Sequence, residues 1–255
     1  IALLSQLLKQ NGHTTDIFDT TFYEFEDDIK LEESDKGVAF SLQHRPISDV
    51  DDDDLHFKKV KENASQNLRK KINEFNPDLL AVSCTETTFI RGLKLISETR
   101  DLGVKNIFGG VFPTFGPHLI MNFKDVDMLC VGEGENAVVE LARNIENLSQ
   151  SDFSIKPINN LWFYDSNNKK IIRNQQSSFR QDLNELPLIN RTIWDQFIYR
   201  PNDYPALLLG RGCPFKCTYC ANHAMAKLSD GKYTRFRSPE NIISEIEYIQ
   251  DNYKN

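Results

Sequence analysis

Apolar residues recur every three to four positions in "IALLSQLLKQNGH" (residues 1–13), the spacing of one helical face, and the pattern stops at Gly12. "TTDIFD" (residues 14–19) then predicts a strand. "SQNLRKKINEF" (residues 65–75) predicts a helix stopped by Asn76-Pro77. "DLLAVSC" (residues 78–84) is an unbroken apolar run, which predicts a strand buried on both faces. "TFIRGLKLISETRDLG" (residues 88–103) predicts the next helix, ended by Gly103. "KNIFGG" (residues 105–110) predicts a strand closing on two glycines, with a short helix around residues 118–123. "VDMLCVGEGE" (residues 126–135) predicts a strand that runs into a Gly-rich turn, and "NAVVELARNIENL" (residues 136–148) predicts its helix.

Strands and helices alternating at short intervals predict an α/β fold: a parallel, doubly wound sheet with right-handed crossovers and helices on both faces. Ligands of such sheets lie beyond the carboxyl ends of the strands. Three predicted ends carry small or polar residues: Ser83-Cys84-Thr85, Gly109-Gly110, and Gly132-Glu133-Gly134-Glu135. Between the first strand signals, residues 21–65 are irregular and acidic, with Asp51 to Asp54 an unbroken charge run, and read as a solvated insertion loop. Beyond the sheet the pattern changes. "LWFYDSNNKKIIR" (residues 161–173) predicts a hairpin turning at Asn167-Asn168. "LNELPLINRTIWD" (residues 183–195) has the character of an interdomain linker, and "ALLLG" (residues 206–210) predicts a buried strand.

Composition narrows the classes. The chain has 255 residues, net charge −7 and 40% hydrophobic residues, enough for one or two domains with cores of their own. Mild acidity argues against broad binding of nucleic acid or anionic membranes, and no apolar run approaches the ~20 residues of a membrane span. Five cysteines, an odd number with three of them clustered, do not read as a disulfide framework and fit a reducing, cytoplasmic compartment. The chain opens at Ile1 on a helix already under way and stops after another helical pattern, so it is expected to be a fragment cut at both ends, with the first strand missing.

The clustered cysteines lie in "RGCPFKCTYCANH" (residues 211–223), directly after the predicted strand at residues 206–210. Their spacing, Cys-x3-Cys-x2-Cys, lets Cys213, Cys217 and Cys220 take three corners of a [4Fe–4S] cube and leaves one iron free for an outside ligand. Gly212 and Pro214 allow the sharp turn, and Tyr219 offers a ring to a bound molecule. The alternatives are a zinc site completed by His223, against which stands the usual pairing of zinc ligands on two knuckles, and buried structural thiols, against which stand Lys216 and Thr218.

A loop of this pattern after a buried strand resembles the cluster motif of the radical S-adenosylmethionine enzymes, and "YTRFRSPENIISEIEYI" (residues 233–249) resembles their first barrel helix. The resemblance implies cluster ligation by Cys213, Cys217 and Cys220, and chelation of S-adenosylmethionine by the open iron. It also implies one-electron cleavage to a 5′-deoxyadenosyl radical, with Tyr219 against the adenine. "PDLLAVSC", "IFGGVFPTFGP" and "VDMLCVGEGENAVVEL" resemble the Rossmann-like cobalamin-binding domain fused ahead of many such enzymes. There Ser83 and Thr85 would meet the cofactor, Gly109 and Gly110 would let its nucleotide tail approach the backbone, and Gly132, Glu133 and Gly134 would close the tail pocket. The glycines also suit simple turns.

The implied organisation is a cobalamin-binding domain over residues 1–148, a hairpin and linker over 149–204, and the start of a radical barrel over 205–255. The implied activity is [4Fe–4S]-mediated cleavage of S-adenosylmethionine, with methyl transfer or carbon-skeleton chemistry at an unactivated carbon. It acts on a small-molecule substrate with an electron donor such as flavodoxin or ferredoxin. This chain alone is expected to be inactive. The rival readings are a radical enzyme whose front domain lacks cobalamin, and a non-enzymatic module binding cobalamin or zinc. His13 and His118 read as capping or surface residues, Cys84 and Cys130 as small core residues, and Phe112 and Phe115 as core or corrin-facing.

Overall fold

A computed structural model describes residues 1–21, 23, 60–145, 157–165, 169–195 and 206–252. Most of the acidic segment with Asp51 to Asp54, the end of the helix expected to reach Leu148, and the Asn167-Asn168 turn lie outside the described residues. The chain divides into two compact units, one of Ile1–Thr15, Pro77–Asn190 and Ala206–Asn255, the other of Asp16–Asn76 and Arg191–Pro205.

The first unit is built on a five-stranded sheet in the order β1-β2-β3-β4-β5: β1 (Leu79–Ser83), β2 (Lys105–Gly109), β3 (Met128–Cys130), β4 (Leu161–Asp165) and β5 (Lys170–Arg173). β1, β2 and β3 are parallel, with Ser83 beside Gly109 and Ile107 beside Met128, whereas β4 and β5 add an antiparallel hairpin. Period-two alternation sends neighbouring residues to opposite faces. Phe108 and Leu129 pack with Phe89, Ile96 and Ile120, while Ile107, Met128 and Cys130 pack with Ala137, Leu141 and Phe163. The first set joins α3 (Glu86–Glu98) and α5 (Pro117–Ile120), the second α6 (Glu135–Arg143), so helices cover both faces as a doubly wound α/β sheet requires. The short α4 (Val111–Phe115) follows β2, and α1 (Ala2–Gln10) lies against α6.

Burying Asp127 at the start of β3 takes an ion-pair network: Arg100 grips it with two hydrogen bonds of 2.6 and 2.7 Å, and Asn106 adds backbone and side-chain donors at 2.9 Å. Burial pulls this carboxyl up, but those donors together with Lys105 hold it below its ordinary value.

Three expectations are corrected. β1 is not buried on both faces: Ala81 and Ser83 are exposed and the leucines half-buried, because among the described residues β1 pairs only with β2. Residues 14–19 form no ladder, since aspartates answer their backbone donors: Asp16 Oδ1 accepts from Ile17 N at 2.7 Å and Asp19 Oδ1 from Thr21 N at 2.8 Å. Residues 206–209 are not a buried strand. Only β6 (Gly210–Arg211) pairs there, antiparallel with β7 (Arg235–Phe236), and Leu208 and Leu209 are exposed while Leu207 is half-buried.

The second unit contains α2 (Ala64–Phe75), capped by the Asn63 side chain at 3.0 Å from Gln66 N and ended by Asn76 in the left-handed region. Lys71 pairs with Asp16 at 2.8 Å, and Trp194 Nε1 donates to Asp19 at 3.0 Å.

Candidate functional site

Parallel pairing brings the carboxyl ends of β1, β2 and β3 to one edge of the sheet. Ser83 ends β1 with its side chain exposed, and Thr85 caps α3, its N–H donating to Thr88 Oγ1 at 2.9 Å. Gly109 ends β2, and its carbonyl accepts from Cys84 N at 3.0 Å. Gly110 follows at φ 110°, and a Cβ there would lie 2.5 Å from the Cys84 carbonyl oxygen. Glycine at 110 is therefore demanded by the protein's own backbone, whereas a Cβ on Gly109 would meet only Cys130 Cβ at 3.8 Å.

Thr114, which the sequence pattern did not single out, ties two of these ends together. Its buried hydroxyl donates to Gly110 O at 2.7 Å and accepts from Gly132 N at 3.1 Å. Gly132 has φ 92°, and Gly134 sits just before α6. Burial pushes the thiols of Cys84 and Cys130 up to about 11 and about 12, as expected of inert core cysteines. Ile90 on α3, Val111 and Phe115 on α4, and Leu119 on α5 are exposed apolar side chains. His118 packs edge-on against Trp162 at 5.0 Å, and Phe112 packs into the core beside Phe89 at 5.3 Å.

The cysteine loop joins β6 to α7 (Asn222–Met225) in the same unit. Cys213, Cys217 and Cys220 are free thiols, with Cys217 exposed and the other two half-buried. Gly212 has φ 82°, and a Cβ on it would lie 2.3 Å from Tyr233 O, so the loop's entry fits flush against the segment that leads into β7. Cys220 N closes a turn onto Cys217 O at 3.1 Å, and Asn222 Nδ2 donates to Cys220 Sγ at 3.2 Å. Among the described residues no three His, Cys, Asp or Glu side chains converge as one metal ion demands, and His223 is exposed. A cubane, by contrast, takes each thiolate at a separate iron, and three free thiols on one open loop suit it. Tyr219 is 91% exposed.

The two ends of the unit meet at Glu133. Its carboxylate accepts from Arg211 Nη1 at 3.0 Å, Arg235 Nη1 at 3.0 Å and Arg180 N at 2.9 Å. Arg211 also reaches Glu135 at 2.5 Å. Arg235, paired with Arg211 across β6 and β7, is almost fully buried and lies 4.9 Å over the Phe179 ring. Burial raises Glu133, but Arg235, the Arg180 amide and Arg211 outweigh it and hold the carboxyl below its ordinary value. Glu133 thus links the Gly132–Gly134 turn to the strand that enters the cysteine loop. Arg211 and Arg235 carried no signal in the sequence, because isolated arginines on short strands resemble any surface pair. Residues ahead of the loop also prove structural: Phe179 and Leu183 are buried, and Phe179 N donates to Asp230 O at 2.9 Å.

Comparison with known proteins follows these features closely. The B12 binding domain family matches residues 1–142, and the radical SAM superfamily matches residues 207–255. The chain is 26% identical over 192 residues to an uncharacterized methyltransferase of Pyrococcus horikoshii, covering 73% of this chain and 39% of that protein. It is 22% identical over 190 residues to the anaerobic magnesium-protoporphyrin IX monomethyl ester cyclase of Rubrivivax gelatinosus, covering 71% and 33%. It therefore spans about two fifths or less of these relatives. The fold is shared with the radical S-adenosylmethionine methyltransferase TsrM of Kitasatospora setae, solved with cobalamin and a [4Fe–4S] cluster, at a TM-score of 0.61 and 14% identity over 98% of this chain and 42% of that one. It is shared also with OxsB, a cobalamin-dependent S-adenosylmethionine radical enzyme solved with aqua-cobalamin and S-adenosylmethionine. Here the TM-score is 0.54 at 19% identity, over 74% of this chain and 26% of that one. No helix among the described residues is long and apolar enough to cross a membrane.

Proposed function

We propose that this chain, which belongs to the B12 binding domain family and runs on into a radical SAM segment, forms the front of a cobalamin-dependent radical S-adenosylmethionine enzyme. The observation that carries the reading is the loop of three free cysteines that follows β6, with Glu133 tying β6 and β7 to the turn after β3. Cys213, Cys217 and Cys220 hold the [4Fe–4S] cluster, and Tyr219 offers its exposed ring to the adenine of S-adenosylmethionine. Ser83 and Thr85 present hydroxyls to cobalamin, while Gly109, Gly110 and the Gly132–Gly134 turn keep side chains out of its tail's path. Because the Glu133 carboxylate is taken up by arginines and its carbonyl accepts from Asn160 Nδ2 at 2.7 Å, its part in that pocket is to hold the shape of the Gly132–Gly134 turn. The exposed Ile90, Val111, Phe115 and Leu119 suit the apolar face of a macrocycle.

When bound, these groups supply one-electron cleavage of a sulfonium and carriage of a methyl group. The reaction class is methyl transfer or carbon-skeleton chemistry on a small molecule, with an electron donor such as flavodoxin or ferredoxin and a cytoplasmic setting. Similarity to an uncharacterized methyltransferase favours the first. Residues 1–255 by themselves would take up iron without turnover, since the radical SAM match takes in only residues 207–255. The second reading, a front domain without cobalamin, draws on Gly110, whose glycine is accounted for by Cys84 with no ligand present.

The test is anaerobic reconstitution of the protein at its natural length with iron, sulfide and hydroxocobalamin. Iron content, cobalamin retained on gel filtration and 5′-deoxyadenosine formed with dithionite are then measured. All three are expected. A cluster-loaded protein that makes no 5′-deoxyadenosine overturns the radical reading, and one that makes it but retains no cobalamin establishes the second.

A further inference from the structure

Asn222 sits two residues beyond the third cysteine, and its side chain bridges that cysteine and Tyr233, two residues ahead of β7. Its Nδ2 donates to Cys220 Sγ at 3.2 Å, and its Oδ1 accepts from Tyr233 Oη at 2.7 Å. Tyr233 is held in turn: its ring packs on Phe179 at 5.4 Å, and its backbone carbonyl seats against Gly212, where a Cβ would come within 2.3 Å. The Phe179 side of this support is fixed by its N–H on Asp230 O at 2.9 Å.

The orientation of the amide follows from chemistry. A ligating sulfur carries no proton and can only accept, so Asn222 must turn its NH2 toward it. The oxygen at the other end then needs a donor, and the Tyr233 hydroxyl is one. The three groups therefore form one directed chain, Tyr233 to Asn222 to Cys220, that delivers a donor to a ligating Cys220 sulfur. A hydrogen bond to a cluster sulfur withdraws electron density from it and favours the more negative, reduced cluster, so it raises the reduction potential.

We propose that Asn222 is a positioning residue that sets the cluster's potential through its hydrogen bond to Cys220, with Tyr233 fixing the amide. The inference rests on the reading of Cys220 as a cluster ligand. It gives the protein a way to make its cluster easier to reduce by an external one-electron donor, using a neutral side chain that adds no charge where S-adenosylmethionine binds.

The experiment is a mediated dithionite titration of the reconstituted, natural-length protein, followed by cluster absorbance and by the electron paramagnetic resonance of the reduced state. Asn222→Leu keeps similar bulk without the donor and is expected to lower the midpoint potential while iron content stays at wild type. Asn222→Asp places acceptors against the sulfur and should lower it further. Tyr233→Phe leaves the amide but frees its orientation, so a smaller shift in the same direction is expected. Clusters that form in Asn222→Leu with an unchanged midpoint overturn the proposal. Should Asn222→Leu not hold a cluster, the Tyr233→Phe midpoint decides, and no shift there overturns it equally. Failure of the wild type itself to take up a cluster would instead remove the assignment of the three cysteines, and this inference with it.

Discussion

Phe108, Met128 and Leu129 at the centre of the five-stranded sheet have no exposed surface, whereas Leu208 and Leu209 ahead of the cysteine loop keep 56% and 52% of theirs. Both stretches are apolar and strand-like. They differ in what surrounds them. β2 and β3 have strands on both sides and helices on both faces, while β6 has β7 alone among the described residues. Burial is therefore concentrated in the sheet, while the loop carries three free thiols, Cys217 exposed and Cys213 and Cys220 half-buried. A hydrophobic run reports willingness to be buried. Burial itself needs the partner surfaces.

The sharpest way to break this division is to separate its two halves by substitution. Cys217→Ala is expected to abolish the [4Fe–4S] absorbance completely while leaving thermal stability within about 0.5 kcal/mol, since the side chain is exposed. Leu129→Ala should do the reverse. It costs about 4 kcal/mol in denaturant melts, because a fully buried leucine leaves a cavity, yet the iron taken up by what remains folded should match wild type. A loss of stability in the first variant comparable to that in the second would show that the loop is part of the core.

Gly110→Val comes next, at about 3 kcal/mol, from a positive φ and a collision with the Cys84 backbone. Gly109→Ala, whose added methyl meets only ordinary contact with Cys130, should fold normally. Cobalamin retention in that second variant is the cleaner probe of the tail path, because it is free of the folding defect. Glu133→Gln tests the joint between the regions. It leaves Arg235 and Arg211 short of a countercharge, and about 2 kcal/mol is expected, less than for a fully buried pair because Glu133 keeps some water contact.

The smallest effect is on pH. Asp127 and Glu133 both have carboxyls held below their ordinary values in the folded state by arginine partners. Their contribution is therefore fully present above the unfolded carboxylate value of about 4 and is lost as pH falls through the lower folded values. Melting temperature should drop below about pH 4, and Asp127→Asn should flatten that drop. A melting temperature that rises on acidification would contradict the sign.

Much of this was legible from pattern alone. The helix at residues 65–75, the strand at 105–109 with its glycine end, and the hairpin at 161–173 all stand where their periodicity places them, because each signal is local. The strand expected at residues 14–19 was not, since aspartate side chains compete for the same backbone donors in a way that alternation cannot reveal. At the site, the cysteine spacing was legible, while Thr114, Arg211, Arg235 and Asn222 were not. Each of these acts on a residue of another segment or through a turn whose direction no spacing encodes.

By itself, then, the sequence determined the α/β alternation, the glycine-ended strands and a loop with three clustered cysteines, all properties of neighbouring residues. Only the tertiary structure decided that Gly110 answers to the backbone of Cys84, that Glu133 turns its carboxylate toward two arginines near the cysteine loop, and that Asn222 faces Cys220. The physical reason is range. Backbone conformation and ligand type are set within a few residues. Hydrogen bonds and ion pairs that span 78 or 102 positions, as those of Glu133 to Arg211 and Arg235 do, exist only once the five-stranded sheet and the β6–β7 pair have folded against each other.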